Sequence, residues 1–487
     1  MTNVLNVFST LLWTFACTMV LPAIAGTVAG ETAATTDFVI MIVLTIFFAG
    51  SIAFAVRGRA SGLNRVESYL LMLVAWTVLP AIAAVPMVTA TDLGWLDAYL
   101  EAVSAMTTTG FTVIGPIDET SRAIVLWRSE LQWIGGLLTL WSLVLIIAPF
   151  GVGGLPQSQI ALMSGATGRE VTNSVRVALD IARVYAVLTG LCAVGLLACG
   201  LSLFDAICLA FSTLSTGGFM PRDGNLESFD SNTAQIVVCI FMLAGASSIF
   251  WFRMMQSRWR MLAMHRETYF VFAVAIALGL AYAVRLFEAA GSADVLHPLT
   301  ALREGLVTGI SVVTTTGFEA RQSSFSVMPM PIVLFFVLIG AGSFSTAGGI
   351  KFYRIGAMFV QAGRELNRLI YPHGVRPAKF GGQHYDIQIM KAIWAFFLTV
   401  VIFVPVLGAY LAEGDLPLEG ALLAAASAFA NAGPIYASGW LQGADQWPAI
   451  ADFSDDKKAV LCATMILGRM EILALFGALN RTYWFNK

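Results

Sequence analysis

The chain has 487 residues, of which 58% are hydrophobic and 12% charged, with a formal net charge of −2 and a mean hydropathy of +0.78. This composition excludes a soluble globular domain and places the chain in a lipid bilayer. No nucleic-acid partner is expected.

Apolar stretches near the roughly 20 residues that a crossing helix needs recur along the whole chain with short polar joints between them. The first, residues 4–24, lacks the basic leader of a cleaved signal and is long enough to cross, so it reads as a retained helix. It forms a hairpin with residues 38–56. Pairs of crossings follow at 69–82 and 127–147, at 184–201 and 234–252, at 269–286 and from 332 onward, and at 389–411 and 459–479. The division expected is a hairpin over 1–60 and four units over 61–150, 151–262, 263–372 and 373–487. The fold class is an all-α polytopic membrane protein of four helix, pore-loop, helix repeats around a pseudo-fourfold axis.

The repeat is carried by four short polar segments, each lying between the two crossings of its unit: TTTGFT, STGGFM, TTTGFE and ANAGPI. Their glycines, Gly110, Gly218, Gly317 and Gly433, are 108, 99 and 116 residues apart. A short apolar segment precedes each one and opens on an acid: Asp97, Asp205 and Glu304 stand 13 residues before their glycine, and Glu419 stands 14 before the last. About 10 helical residues reach only about 15 Å, so each segment must dip into the membrane and return. Irregular backbone at that depth survives only inside protein or around water, so the four dips are expected to share one cavity. Helix C-termini aimed at that cavity favour a cation. Glycine then lets carbonyls turn inward to replace an ion's water. The candidate ion-binding residues are Thr108, Thr109 and Gly110; Thr216, Gly217 and Gly218; Thr315, Thr316 and Gly317; and Asn431, Ala432 and Gly433.

Two further features lie where such a path would continue. The run GAGSFSTAGG at 340–349 is too rich in Gly and Ser for a stable helix. Its Gly340, Gly342, Ser343, Ser345, Thr346, Gly348 and Gly349 are candidates for a flexible gate, or alternatively for a close helix contact, and Lys351, just after the run, is counted with the gate candidates. In the last crossing Arg469 and Glu471 are intramembrane charges and mark a functional position. Two residues apart, they cannot face each other on one helix. Arg469 either points into the pore or ties to a carbonyl or acid of another unit.

Loop charge sets the orientation. Arg57, Arg59 and Arg65, Arg169, Arg176 and Arg183, Arg253, Arg258, Arg260 and Arg266, Lys351, Arg354, Arg364, Arg368, Arg376, Lys379 and Lys391, with Arg481 and Lys487, put 19 of 28 basic residues on one side. By the positive-inside rule that side, with the N-terminus, is cytoplasmic. Of the 30 acids, 23 fall outside. They either form a vestibule that concentrates cations or occupy loops left free by the basic residues. The six cysteines lie in apolar stretches with no metal-type spacing and read as core.

The four pore segments, together with WRSELQWIGG at 127–136, STAGGIK at 345–351, RELNRLIYP at 364–372 and LGRMEI at 467–472, resemble the Trk/Ktr/HKT superfamily of potassium transporters. The likeness covers essentially the whole chain and is nearest to the bacterial TrkH-like uptake subunits. The resemblance implies potassium as substrate, bound at the filter, with no cofactor on this chain. It also implies filter glycines at Gly110, Gly218, Gly317 and Gly433, an intramembrane gate at 340–349, and a pore-facing Arg469. It further implies residence in a bacterial inner membrane, a homodimer, and a cytoplasmic nucleotide-binding regulatory partner of the RCK, TrkA-like type. Relatives with serine at the first filter glycine tend to carry sodium, so Gly110 favours potassium. The chain departs from the family in GPI at 433–435, where a second glycine is common after the proline, and in LAGASSIFW at 243–251.

The alternative is a secondary active symporter moving potassium with protons or sodium, a class typically built from inverted halves. An enzyme is not expected, because the chain lacks HExxH and GxxxxGK[ST] and its histidines, His265, His297, His373 and His384, are scattered.

Overall fold

The computed structural model describes residues 2–58, 62–147, 149, 174–257, 265–289, 297–371, 379–380, 383–384, 387–414, 416–437, 440 and 447–471. The expected joints between units, at 60–61, 150–151, 262–263 and 372–373, lie outside these residues. So do Arg59, Arg169, Arg258, Arg260, His373, Arg376, Arg481 and Lys487, and the final crossing beyond Glu471.

The helices in chain order are α1 (Thr2–Thr18), α2 (Val20–Ala29), α3 (Thr32–Ala55), α4 (Arg65–Ala90), α5 (Trp95–Met106), α6 (Arg122–Trp141), α7 (Ser174–Ala198), α8 (Leu203–Ser215) and α9 (Asn232–Ala246). They continue with α10 (Ile249–Ser257), α11 (Arg266–Ala289), α12 (Pro298–Val313), α13 (Met330–Ile339), α14 (Phe352–Ile370), α15 (Ile387–Leu411), α16 (Leu418–Ala430), α17 (Pro434–Ala437) and α18 (Asp455–Met470). The strands described are two residues long each, Lys379–Phe380 and Gln383–His384, paired antiparallel. Among the described residues seven helices are long and apolar enough to cross a membrane, and α9 with α10 makes an eighth if that bent pair is one span.

The arrangement closes on itself. Each unit's second crossing packs on the next unit's short helix: α6 on α8, α9 on α12, α13 on α16, and α18 back on α5. The N-terminal pair leans on the first unit, where Phe15 and Phe38 flank Trp127 with ring centroids 5.7 and 5.6 Å away. Glu31 serves as a cap in trans for α6: its carboxylate accepts from the Arg122 and Ala123 N–H groups at 2.7 and 3.2 Å. A negative group there satisfies amides that a helix start leaves unpaired. Asn64 and Glu67 form a reciprocal capping box that starts α4, with bonds of 2.8 and 3.1 Å.

Three expectations are corrected. The crossing expected as continuous over 234–252 is two helices bent by 99°. Its backbone is broken at Ser247, where residues of the 340–349 loop take over its bonds: Gly342 N–H donates to Ala246 O at 3.1 Å and Ile249 N–H to Phe344 O at 3.0 Å. The third short helix does not begin at Glu304. Pro298 in its first turn and the His297 cap start it six residues earlier, so Glu304 is buried midway along it. The first crossing is broken at Met19, although α1 and α2 together still form one span, Thr2–Ala29.

The third unit's helices meet along small residues. A Cβ on Gly305 would collide with Ala283, one on Gly309 with Gly279, and one on Gly279 would lie 2.9 Å from Leu306. This is the small-xxx-small contact by which helices approach closely where lipid supplies no hydrophobic drive. Gly305→Val or Gly309→Val is therefore expected to lower the melting temperature of the purified protein, since overpacking costs about 1–3 kcal/mol. Gly363→Ala in α14, where a Cβ would meet nothing within 4 Å, serves as the control and should not lower it, since alanine favours a helix interior over glycine.

Candidate ion pathway

Each short helix ends in the same turn. The residue two before the glycine, Thr108, Thr216, Thr315 or Asn431, is left-handed, with φ of 52°, 54°, 56° and 52°. The amide after it reaches back five residues: Thr109 to Ser104 O, Gly217 to Ser212 O, Thr316 to Ser311 O and Ala432 to Ser427 O, at 2.8, 2.9, 3.0 and 2.8 Å. The left-handed residue's own amide bonds the carbonyl three before it, at 2.9, 3.1, 3.2 and 3.4 Å. This pair of bonds is the Schellman C-cap, usually completed by glycine. Here threonine holds the left-handed position three times, where a β-branched side chain is strained. The fourth copy uses Asn, which tolerates it. Serine stands six residues before each of the four glycines, a second repeated position that extending the same alignment backward reveals.

The four turns meet. A Cβ built on Gly110 would strike Gly217 O, and one on Gly218 would strike Thr316 O; on Gly317 it would lie 2.8 Å from Pro434 Cδ, and on Gly433 2.9 Å from Gly110 C. These contacts run from unit to unit and return to the first. Gly433 N–H donates to Thr109 O at 2.6 Å across the closing seam. Gln132 of α6, also not anticipated, donates to Gly217 O at 2.7 Å and braces the second turn from behind. Gly110, Gly218 and Gly317 have φ near +80° (86°, 80° and 82°). Gly433 does not share that conformation; Ala432 O and Gly433 O accept from Ile435 and Tyr436 N–H at 3.3 and 3.0 Å, which turns the fourth segment into α17.

Directly beneath lies the 340–349 loop, and it is not free. Gly340 and Gly349 are left-handed, φ 70° and 77°. Ser343 N–H donates to Glu267 at 2.6 Å, and Ser345 Oγ to Gly342 O at 2.6 Å. Thr346 Oγ1 donates to Leu214 O and Gly245 O, each at 3.0 Å. Gly348 N–H donates to Thr315 Oγ1 at 2.8 Å. Units two and three thus both hold the loop, and a Cβ on Gly348 would strike Ala430 O of the fourth. The expected flexible loop is a buried, hydrogen-bonded one in this conformation.

Arg469 is buried and ties three places together: its guanidinium donates to Thr107 O and Thr108 Oγ1 of the first turn and, at 2.6 Å, to Thr346 O of the loop. Of the two placements left open by the sequence, these contacts are the tie to carbonyls. Glu471 instead pairs with buried Arg354 at 2.7 Å, and Arg354 also covers the Phe396 ring at 4.0 Å. Lys351 Nζ donates to Ala347 O.

On the opposite side several acids are paired rather than free. Asp97 meets Lys458 at 2.6 Å, Glu101 meets buried Arg128 at 2.6 Å, and Asp205 meets Arg222. Asp97, Asp205 and Glu419 do lie in the first turns of α5, α8 and α16.

Comparison with known proteins bears on this geometry. The family described as TrkH, cation transport protein, matches residues 34–261 and 330–479. The Trk system potassium uptake protein TrkH of Vibrio parahaemolyticus is 29% identical over 500 residues, covering 99% of both chains. TrkH of Escherichia coli K12 is 28% identical over 96% of both. The crystal structure of the potassium transporter TrkH from V. parahaemolyticus superposes with a TM-score of 0.83 over 99% of both chains, at 28% identity. The chain belongs to the TrkH family of cation transport proteins.

Proposed function

We propose that this chain is the membrane subunit of a Trk-type system that takes up potassium across a bacterial inner membrane, with its N-terminus in the cytoplasm. The observation that carries the reading is the closed ring of four left-handed turns, each ending a short helix whose partially negative end faces the common axis. Carbonyls of those turns would replace the ion's hydration shell. The relatives named as Trk system potassium uptake proteins support potassium as the ion. The ring of like units, each braced by the one before, supports a channel-like pore over rocking of two inverted halves.

In this reading the 340–349 loop is the gate and Arg469 its latch. The guanidinium joins the floor of the first turn to Thr346 of the loop, so the loop cannot leave without breaking charge-assisted bonds. A positive group beneath the turns also opposes cation passage. A homodimer and a cytoplasmic nucleotide-binding partner remain part of the proposal, with the basic cytoplasmic residues as the partner's surface.

The test is rubidium and potassium uptake in bacterial cells lacking their own systems. Gly218→Asp is expected to abolish uptake while the protein stays in the membrane at its usual amount; unimpaired uptake would remove Gly218 from the ion path. Arg469→Ala is expected to raise or deregulate flux. Loss of folded protein would make Arg469 a structural tie alone.

A further inference from the structure

We propose that Pro434 is a fixed apolar constriction on the pore axis, and that it sets which ions pass and how fast. The inference rests on the reading of the four turns as an ion path.

The placement follows from three glycines in three different units. A Cβ on Gly110 would lie 2.9 Å from Pro434 Cδ, one on Gly218 2.8 Å from Pro434 Cγ, and one on Gly317 2.8 Å from Pro434 Cδ. A side chain that close to all three can only occupy the space the turns enclose. Pro434 is nevertheless only partly buried.

The ring is held there. The fourth segment curls into α17 at Pro434, and proline suits the first position of a helix because it has no amide to satisfy. Ile435 is fully buried, and its carbonyl accepts from Trp440 Nε1 at 2.8 Å. Tyr436 donates to Pro448 O at 2.9 Å and stacks on Trp447 at 5.7 Å. It also meets Phe111 and Phe453 edge-on at 6.3 and 6.1 Å. Phe111 directly follows Gly110, so the aromatic cluster fixes Pro434 relative to the first turn.

The chemistry is asymmetric. At the level of the glycines three units present backbone with positive φ, whereas the fourth turns into α17 there and contributes the methylenes of Pro434. An ion passing there loses one quadrant of oxygen contact and must fit beside a rigid ring. A less readily dehydrated or larger cation is penalised more than potassium, and throughput falls for all.

The experiment uses the full chain in cells lacking their own potassium uptake, with rubidium and caesium uptake measured per molecule of folded protein and Gly218→Asp run in parallel. Pro434→Ala is expected to raise the maximal rubidium rate and the caesium-to-rubidium ratio, each by about tenfold, the scale on which small differences in bulk are discriminated at a site. Ile435→Gly, which keeps the ring but removes the buried side chain pinning it, should move both quantities in the same direction, and it decides the matter if Pro434→Ala does not fold. Both quantities unchanged in a folded variant, while Gly218→Asp still blocks uptake, would overturn the constriction and leave the pore reading standing. Absence of uptake by the unaltered chain would overturn both.

Discussion

Amides and carbonyls that leave a helix inside a membrane have no water to turn to, and the organisation of this protein follows from how four such exits are satisfied. Leaving one amide unpaired in an apolar medium costs about 4–8 kcal/mol, whereas a residue held at an unfavourable φ costs about 1–3. Threonine in the left-handed region is therefore tolerated at 108, 216 and 315, because that conformation returns two amides per turn to carbonyls of the helix just ended. The same geometry exposes the next few peptide groups toward the axis and brings the turns into van der Waals contact. Close approach then leaves room only for glycine, so spacing, turn and ring are one constraint seen at three scales.

Enclosure of the turns has a consequence beneath them. A buried guanidinium is unfavourable unless each of its nitrogens finds an oxygen to donate to. Arg469 meets that demand with oxygens of Thr107, Thr108 and Thr346. Among the described residues no acid pairs with Arg469, Glu471 being taken by Arg354, so its positive charge is solvated there by dipoles. A charge of that kind remains electrostatically visible at the turns above it. The loop is linked to turns and charge together: Thr346 gives its carbonyl to Arg469, its hydroxyl to Leu214 and Gly245, and Gly348 bonds Thr315. Displacing the loop would thus change the support of two turns along with the opening below.

The parts legible in the sequence were those repeated in it. Gly110, Gly218, Gly317 and Gly433 recur at similar intervals behind an acid, and that alone located the turns. Where local pattern and tertiary contact diverge, reading failed. Residues 243–251 carry Gly245, Ser247 and Ser248, but so short a polar interruption is common inside a crossing and does not by itself signal a bend; the bend at Ser247 is held by a loop a hundred residues later that takes the hydrogen bonds of Ala246 and Ile249. Glu304 stands at the same distance from its glycine as Asp97 and Asp205 do from theirs. Position relative to glycine nonetheless does not set where a helix begins, and Pro298 started this one earlier. Gln132 and the serines at 104, 212, 311 and 427 were unremarkable as isolated polar residues in apolar helices; their meaning lies in which carbonyl they face or carry.

The departures from fourfold likeness gather in the fourth unit. Its left-handed residue is Asn431, its glycine lacks the positive φ, Pro434 follows, and Arg469 rises from its last helix. A single chain encoding four units can place such groups because each occurs once. Four pyrrolidine rings at one level would fill the axis, and four uncancelled guanidiniums beneath the turns would repel one another and any cation. One of each fits, which leaves backbone in three units at that level and side chains of the fourth above and below the turns. A pore of four identical subunits has no access to this division, since any side chain put on its axis arrives in four copies.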